Sequence, residues 1–590
     1  MQRPSNYDKF PTIQSGDEQD CIKGWEEIGQ ALLAGLPEFG GMICVECYPG
    51  AFTGRIEDLL CSVLAPSAII RTSDLLKDPD DLRKLLSPYL GNDPVFGRMN
   101  GITIQDYFNL DRLTSARCQI ENGRAQRLLV IGVGASLLCD SPSLIVYADM
   151  ARWEIQQRWR RNEIGNLGLD NAGDSISAKY KCGYFVEWRA ADRLKKTLLP
   201  RFDFLLDTND SNAPKMITGD NFRRALRTAS QRPFRVVPYF DPGPWGGHWM
   251  EEICDLPQDS PNHAWCFDCV PEENSLLLGF GNTRVEVPAI DLVFAHPHEL
   301  LGESVHARFG TEFPIRFDFL DTMCGGNLSL QVHPLTEYIQ DKFGMHYTQD
   351  ESYYLLDAGK DANVYLGLRD SSDPAELLRD LRRAQESNFI FPAERYVNIW
   401  PARKHDHFLI PAGTIHCSGN NSMVLEISAT PYIFTFKLWD WDRVGLDGNP
   451  RPIHIDHGEA NIQWDRTTDW VRKNLVNRIE PMSSGNGWAE ERTGLHEREF
   501  IETRRHWFHA PVTHNTNGTV NVLNLVEGDE VVVDSPTSAF PPFIVHYAET
   551  FIVPASVGVY TIRPHGKSIG KQCGTIKAFV RSGACIESQG

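Results

Sequence analysis

Four side chains near the middle of the chain have the types and spacing that a divalent metal site requires. In Asn327-Leu328-Ser329-Leu330-Gln331-Val332-His333-Pro334, Gln331 and His333 are two residues apart, so on a strand they project to one face. Glu351 stands at the head of the apolar run Ser352 to Ala358, and His416 follows a Pro-Ala-Gly-Thr turn ahead of another strand. Antiparallel strands of a barrel can bring the four to one interior point, where they offer an amide oxygen, two imidazoles and a carboxylate. Such a mixed nitrogen and oxygen set suits zinc or another divalent first-row ion and leaves room for substrate. The competing account makes each histidine a hydrogen-bonded core residue. The close cysteine pairs Cys44/Cys47 and Cys266/Cys269 each lack the second pair that would complete a tetrahedral site, and are read as buried thiols.

The elements that must position these groups change character along the chain. From about residue 40 to 235, short apolar runs alternate with amphipathic stretches: a strand at Gly41 to Cys47, a helix at Arg55 to Leu64, a buried strand at Arg127 to Gly134 and an Arg-rich helix at Asp149 to Arg161. Strand-helix alternation of this kind means an α/β layer with a mainly parallel sheet. Beyond the Pro- and Gly-rich segment Pro238 to Gly247 the pattern turns to short strands, expected at Ser275 to Phe280, Pro314 to Leu320, Leu328 to Val332, Ser352 to Ala358, Asn363 to Leu368, His407 to Ile410 and Met423 to Ser428. That spacing suits a barrel or jelly roll. One helix, Pro374 to Ala384 with Ser372 or Asp373 as its cap, interrupts them. A third block from about Gly485 is again strand and turn, and its Phe551-Ile552-Val553-Pro554-Ala555 echoes Phe408-Leu409-Ile410-Pro411-Ala412 in the second, as a duplicated barrel unit would.

The stretches around Gln331, Glu351 and His416, taken in order and spacing, resemble the type I mannose-6-phosphate isomerases, zinc enzymes of the cupin fold. Trp245-Gly246-Gly247, the run Leu438 to Arg443 and Arg451-Pro452-Ile453-His454 are also similar to short bacterial members. The resemblance covers about residues 236 to 460 well, the last block loosely and the first 235 residues not at all. It implies zinc held by Gln331, His333, Glu351 and His416, and aldose-ketose isomerisation of a hexose 6-phosphate, mannose 6-phosphate to fructose 6-phosphate. It also implies catalytic roles for Glu426, at a family carboxylate position, and for Lys437, where short members carry an Arg. Arg443 is the alternative cation. Lys in place of Arg exchanges a bidentate clamp for a point charge. The stretch Met345 to Asp350 lacks the Lys that many family members place shortly before the Glu that stands here as Glu351, and the cations near the site are Lys342, Lys437, Arg443 and Arg451, which leaves open a sugar bearing another anionic group, or none. A redox cupin on iron is less favoured, because the set contains a Gln and no His-x-His pair. The alternative of a different class is a non-catalytic sugar- or nucleotide-sensing protein that kept the barrel and lost turnover.

The expected fold is therefore multidomain α/β plus β: an α/β layer domain over 1–235, a catalytic cupin jelly-roll barrel over 236–465 and a second, smaller cupin-like jelly roll over 466–590. In the first domain, Gly50-Ala51-Phe52-Thr53-Gly54-Arg55 occupies the place of a nucleotide-binding P-loop and loosely resembles nucleoside-kinase-like domains. Three residues instead of four separate its glycines, Arg55 replaces Lys and Ile56 replaces the hydroxyl, so a regulatory or structural role is expected. Arg158, Arg160 and Arg161 either face a phosphate there or form a solvated face. With 590 residues, 42% hydrophobic, and a formal charge of −20, the chain has material for several cores and no general electrostatic grip on nucleic acid or anionic lipid. It shows no basic-then-apolar leader, and its longest apolar run, around Leu128 to Cys139, is too short for a bilayer, so a cytoplasmic protein with a sugar phosphate partner is expected. Its oligomeric state is left open.

Overall fold

The computed structural model describes residues 5–581 apart from 39, 124–125, 387–388, 446–447, 449 and 495–498. In the first block, five strands pair in parallel in the order Ala68–Arg71, Arg127–Gly132, Gly41–Cys47, Leu144–Asp149, Phe204–Asp207. Lys215–Thr218 and Cys21–Lys23 extend that sheet antiparallel. Runs such as Leu144–Asp149, buried at every position, are continuously apolar because helices cover both faces of a parallel sheet.

The middle block is a double-sheet antiparallel barrel. One sheet runs in the order His407–Ile410, Glu351–Ala358, Ser422–Ser428, Arg316–Asp321, Trp265–Cys269, Tyr239–Asp241; the other runs Val397–Pro401, Asn363–Leu368, His416–Ser418, Leu330–Val332, Phe436–Trp439. This is consistent with the cupin-like barrel expected. Two particulars differ from expectation. Ser275–Phe280 lies outside the barrel, in a small sheet with the hairpin strand Thr283–Pro288 and, in parallel, Thr12–Gly16 from the start of the chain. Its six residues are buried on both faces, so its sequence carries no alternation that would tie it to a sheet with a wet side. Helix Thr468–Asn474 seats Val471 against Gly367 of a barrel strand, so the barrel's packing runs past residue 465. The inserted helix spans Pro374–Glu386, with the Asp373 carboxylate accepting from Glu376 N at 2.8 Å as its cap.

The last block is a second pair of antiparallel sheets, six-stranded and four-stranded. Its strand Thr550–Val553 lies at the edge of the larger sheet and runs into Pro554-Ala555, as His407–Ile410 does in the middle barrel. The three blocks are packed into one another. One continuous apolar cluster runs from Ile43 and Val130 of the parallel sheet to Val332 and Phe436 of the barrel, and a second joins Leu205, Phe317 and Val522. Among the described residues no helix is long and apolar enough to cross a membrane.

Candidate metal centre

Strand register brings the predicted groups together. Gln331 sits directly opposite His416 on one neighbouring strand and opposite Lys437 on the other, and residues paired across an antiparallel ladder project to the same face. His333, two residues on, shares that face. Glu351 opens its own strand in the facing sheet, opposite Ile410 and Ser428. His416 is delivered by the turn Pro411 to Thr414. Gly413 there adopts φ +85°, and its N–H donates to His333 O at 3.0 Å, so the turn is tied to the strand it serves.

One ligand-capable atom from each of His333, Glu351 and His416 lies within 4.8 Å of the others, and all three residues are buried. Glu351 Oε1 is 2.9 Å from His416 Nε2 and 3.2 Å from His333 Nε2. His333 Nδ1 donates to Phe434 O and His416 Nδ1 to Thr414 O, each at 2.9 Å. A carbonyl only accepts, so both Nδ1 atoms carry the proton and both Nε2 lone pairs point at the cluster. Burial lowers His416, which keeps its ring neutral. His333 Nε2 and Glu351 Oε1 are buried without a hydrogen-bond partner of proper geometry. Two bare lone-pair donors, kept bare by what their other atoms hold, are what a metal ion would satisfy, so these residues fit one.

Gln331 adjoins the cluster, its amide Nε2 3.2 Å from His416 Nε2. Turning the amide over puts Oε1 in that place, the orientation a ligand needs. Glu351 is further held from behind: Gln349 Nε2 donates to Glu351 Oε2 at 2.7 Å, while Gln349 Oε1 accepts from Phe434 N at 2.8 Å. Sequence reasoning missed Gln349, although its place two residues before Glu351 was a same-face signal.

The other predicted residues are placed differently. The cavity beside the cluster is lined by Gln331, and neither Glu426 nor His333, Glu351 and His416 lies on its wall. Glu426 Oε1 accepts from Arg316 at 2.9 Å, Ser428 Oγ at 2.7 Å and Gln349 Nε2 at 3.2 Å, and burial together with the Glu351 charge pushes its carboxyl up. It stands behind Glu351, joined to it through Gln349. Arg443 also lies off the cavity, spent on Asp440 Oδ1 at 2.7 Å and Asn327 O at 2.6 Å. Arg451 reaches the cavity wall but shares Asp440, at 2.9 Å. Lys342 is on the surface beside Asp341. Lys437 lines the cavity and its Nζ has no hydrogen-bond partner among the described residues; burial, reinforced by Arg451, lowers it to about 7.

In the first block, the strand-turn-helix of Gly41–Cys47 and Thr53–Leu64 is present. Its turn is filled by its own neighbours. Ile155 abuts Gly50, Arg158 donates to Gly50 O at 2.8 Å and its guanidinium lies over the Phe52 ring. Arg158 is buried, Arg160 pairs with Asp241, and Arg161 pairs with Glu154 and Glu163. None of the three is turned toward a phosphate in that turn.

The fold and the cluster define a barrel protein with a buried histidine–carboxylate–histidine group able to hold a metal. A family model described as "Domain of unknown function (DUF8485)" matches residues 24–231. Mannose-6-phosphate isomerase ManA of Bacillus subtilis (strain 168) is 25% identical over 224 residues, 38% of this chain and 65% of the relative. Mannose-6-phosphate isomerase of Streptococcus mutans is 27% identical over 214 residues, 36% of this chain and 62% of the relative. The chain thus spans just under two thirds of the length of these curated relatives. Among solved structures, mannose 6-phosphate isomerase from Bacillus subtilis superposes with a TM-score of 0.48 at 18% identity, covering 59% of this chain and 99% of that one. A zinc-bound mannose 6-phosphate isomerase gives 0.44 at 16% identity, covering 60% and 100%.

Proposed function

We propose that the middle barrel is a zinc-dependent aldose-ketose isomerase acting on a hexose 6-phosphate, interconverting mannose 6-phosphate and fructose 6-phosphate. The observation that carries this reading is the pair of bare, buried donor atoms on His333 and Glu351, beside His416; Gln331, 3.2 Å from His416, links the group to a cavity of about 320 Å³. His333, Glu351 and His416 would hold the ion, with Gln331 as the fourth ligand on the cavity side. The ion, when bound, would supply Lewis acidity that stabilises the negative charge developing as a proton leaves a carbon beside a carbonyl.

The remaining work falls to the chain's own residues. Lys437, paired across the ladder with Gln331, presents a primary amine that changes charge near neutral pH, and we assign its Nζ the movement of the proton between C1 and C2. Glu426 and Gln349 keep the Glu351 carboxylate oriented, so Glu426 is given a positioning part. Arg451, half-neutralised by Asp440, is the cavity cation left to meet the phosphate. The test is incubation of the zinc-loaded full chain with mannose 6-phosphate or fructose 6-phosphate in deuterated water. Deuterium at C1 or C2 with sugar interconversion is expected; metal-replete protein that exchanges none would overturn the reading.

A further inference from the structure

The cavity that Gln331 lines, beside the His–Glu–His group, is not enclosed by the barrel alone. On the barrel side its wall carries Trp265 and Phe267, whose rings lie within 6° of parallel with centroids 6.0 Å apart. They face the cavity because strand Trp265–Cys269 alternates, with Cys266 and Asp268 buried behind them. Another part of the wall comes from the first 235 residues and adjoins the barrel's, with Trp153 6.5 Å from Phe267 and stacked on Tyr239 at 4.8 Å. Trp153 and Gln156 are three apart on the helix Arg152–Arg160, and Tyr180 and Tyr184 are four apart across the end of the helix Ile176–Cys182, their rings 9° from parallel at 5.7 Å. Spacings of three and four put each pair on one helix face.

The chemistry of that part of the wall is uniform. Gln156 Nε2 donates to Glu273 Oε2 at 2.9 Å, and Tyr180 OH donates to Glu273 Oε1 at 3.0 Å. Glu273 is held by two neutral donors and hydrogen-bonds to no cation among the described residues, whereas Arg160, on the helix of Gln156, is committed to both carboxylate oxygens of Asp241, at 2.6 and 2.7 Å. The cations that line the cavity, Lys437 and Arg451, belong to the barrel. A phosphate dianion at that part of the wall would meet a carboxylate and no free positive charge. A neutral polyhydroxylated group would meet acceptors for its hydroxyls and aromatic faces for its C–H bonds, the usual make-up of a small-molecule site with a few convergent polar groups.

We propose that the N-terminal block completes the specificity-determining wall of the barrel's site, and that Gln156 and Tyr180, with Glu273 of the barrel, bind uncharged hydroxyls of the substrate's sugar over the Trp265 and Phe267 rings. The inference rests on the isomerase reading for the reaction at the metal end, while the sugar recognition itself is measured without turnover.

The zinc-loaded full chain is titrated with D-mannose, D-mannitol and inorganic phosphate, binding being read by calorimetry and by tryptophan fluorescence, since Trp153 and Trp265 line the cavity. Both neutral ligands are expected to bind. Gln156→Ala and the milder Tyr180→Phe should each weaken them about fivefold or more, the worth of one hydrogen bond, with zinc content unchanged and the fold retained. Unaltered affinities in both correctly folded variants would overturn the proposal, as would a wild type that binds inorganic phosphate and neither neutral ligand. A wild type that binds the sugars through these residues but exchanges no deuterium sinks the isomerase reading alone. Exchange at C1 or C2 with sugar binding indifferent to both variants sinks this one alone.

Discussion

At the scale of single residues, the site depends on which atoms are left without partners. Glu351→Gln and His416→Ala each remove a ligand and should lower zinc affinity more than about 100-fold, beyond the 10–100-fold typical of an outer partner. Gln349→Ala removes such an outer partner, which orients Glu351 through a 2.7 Å hydrogen bond, and should fall within that smaller range. Competition with a chelator measures all three, and a larger loss in Gln349→Ala than in Glu351→Gln would reverse the assignment. Lys437 makes a separate prediction about pH. Burial first, then Arg451, lowers it from an ordinary 10.5 to about 7, so the amine is charged below that pH and a free base above it. With Lys437 as the base, kcat/KM rises as pH passes upward through about 7. Lys437→Met should erase that limb and reduce kcat/KM at least about 100-fold, the usual contribution of a positioned acid–base group.

At the scale of elements, the site is held by one turn and one strand edge. Gly413 adopts φ +85°, and a Cβ there would come within 2.7 Å of Gln463 Cγ and 2.8 Å of Asn461 O. Gly413→Ala should cost about 1–3 kcal/mol and loosen zinc, because the same turn carries His416. Thermal unfolding with and without chelator reads both effects; a variant with unchanged Tm and zinc affinity would show that the turn tolerates a side chain. His407, four residues before Pro411, is wholly buried with neither ring nitrogen hydrogen-bonded. Burial, then the Arg505 charge, pushes it from 6.5 down to about 3. As pH falls through that window the unfolded chain takes up a proton that the folded one refuses, so stability is lost at up to about 1.4 kcal/mol per pH unit. His407→Leu should flatten the slope by that amount between pH 6 and 4, as read by urea unfolding; an unchanged slope would mean that His407 titrates normally in the fold.

At the scale of the whole molecule, the blocks are coupled by buried charge as well as by shared apolar clusters. Arg152, 1% exposed, meets Glu272 and Asp192, one across the block boundary and one within the first block. Arg235 joins Glu549 of the last block at 2.8 Å and lies 3.5 Å from Asp268 of the barrel. Arg152→Met leaves Arg189 alone between the carboxylates of Asp192 and Glu272 and should cost about 3 kcal/mol, the lower end for breaking a buried pair. Because the clusters run through all three blocks, wild-type urea unfolding should be one transition by far-UV circular dichroism and by tryptophan fluorescence. Two separated transitions would show that the first block folds independently of the barrel it walls.

Much of this was legible in the sequence. Gln331 and His333 share a face because a strand repeats every two residues, and the turn before His416 was marked by its own Pro and Gly. Asn363–Leu368 and His407–Ile410 lie where their apolar runs end. Local periodicity and turn chemistry act over a few residues, and they are written directly in the chain. What the tertiary structure decided are facts of distance between segments remote in sequence. Register alone set Lys437 beside Gln331, Arg316 and Ser428 drew Glu426 away from the cavity, Asp440 took up Arg443, and Ser275–Phe280 paired with Thr12–Gly16 instead of with the barrel. The wall of Gln156 and Tyr180 against Glu273 could not have been read from one dimension, because no local pattern says which helix face will close over another block's cavity.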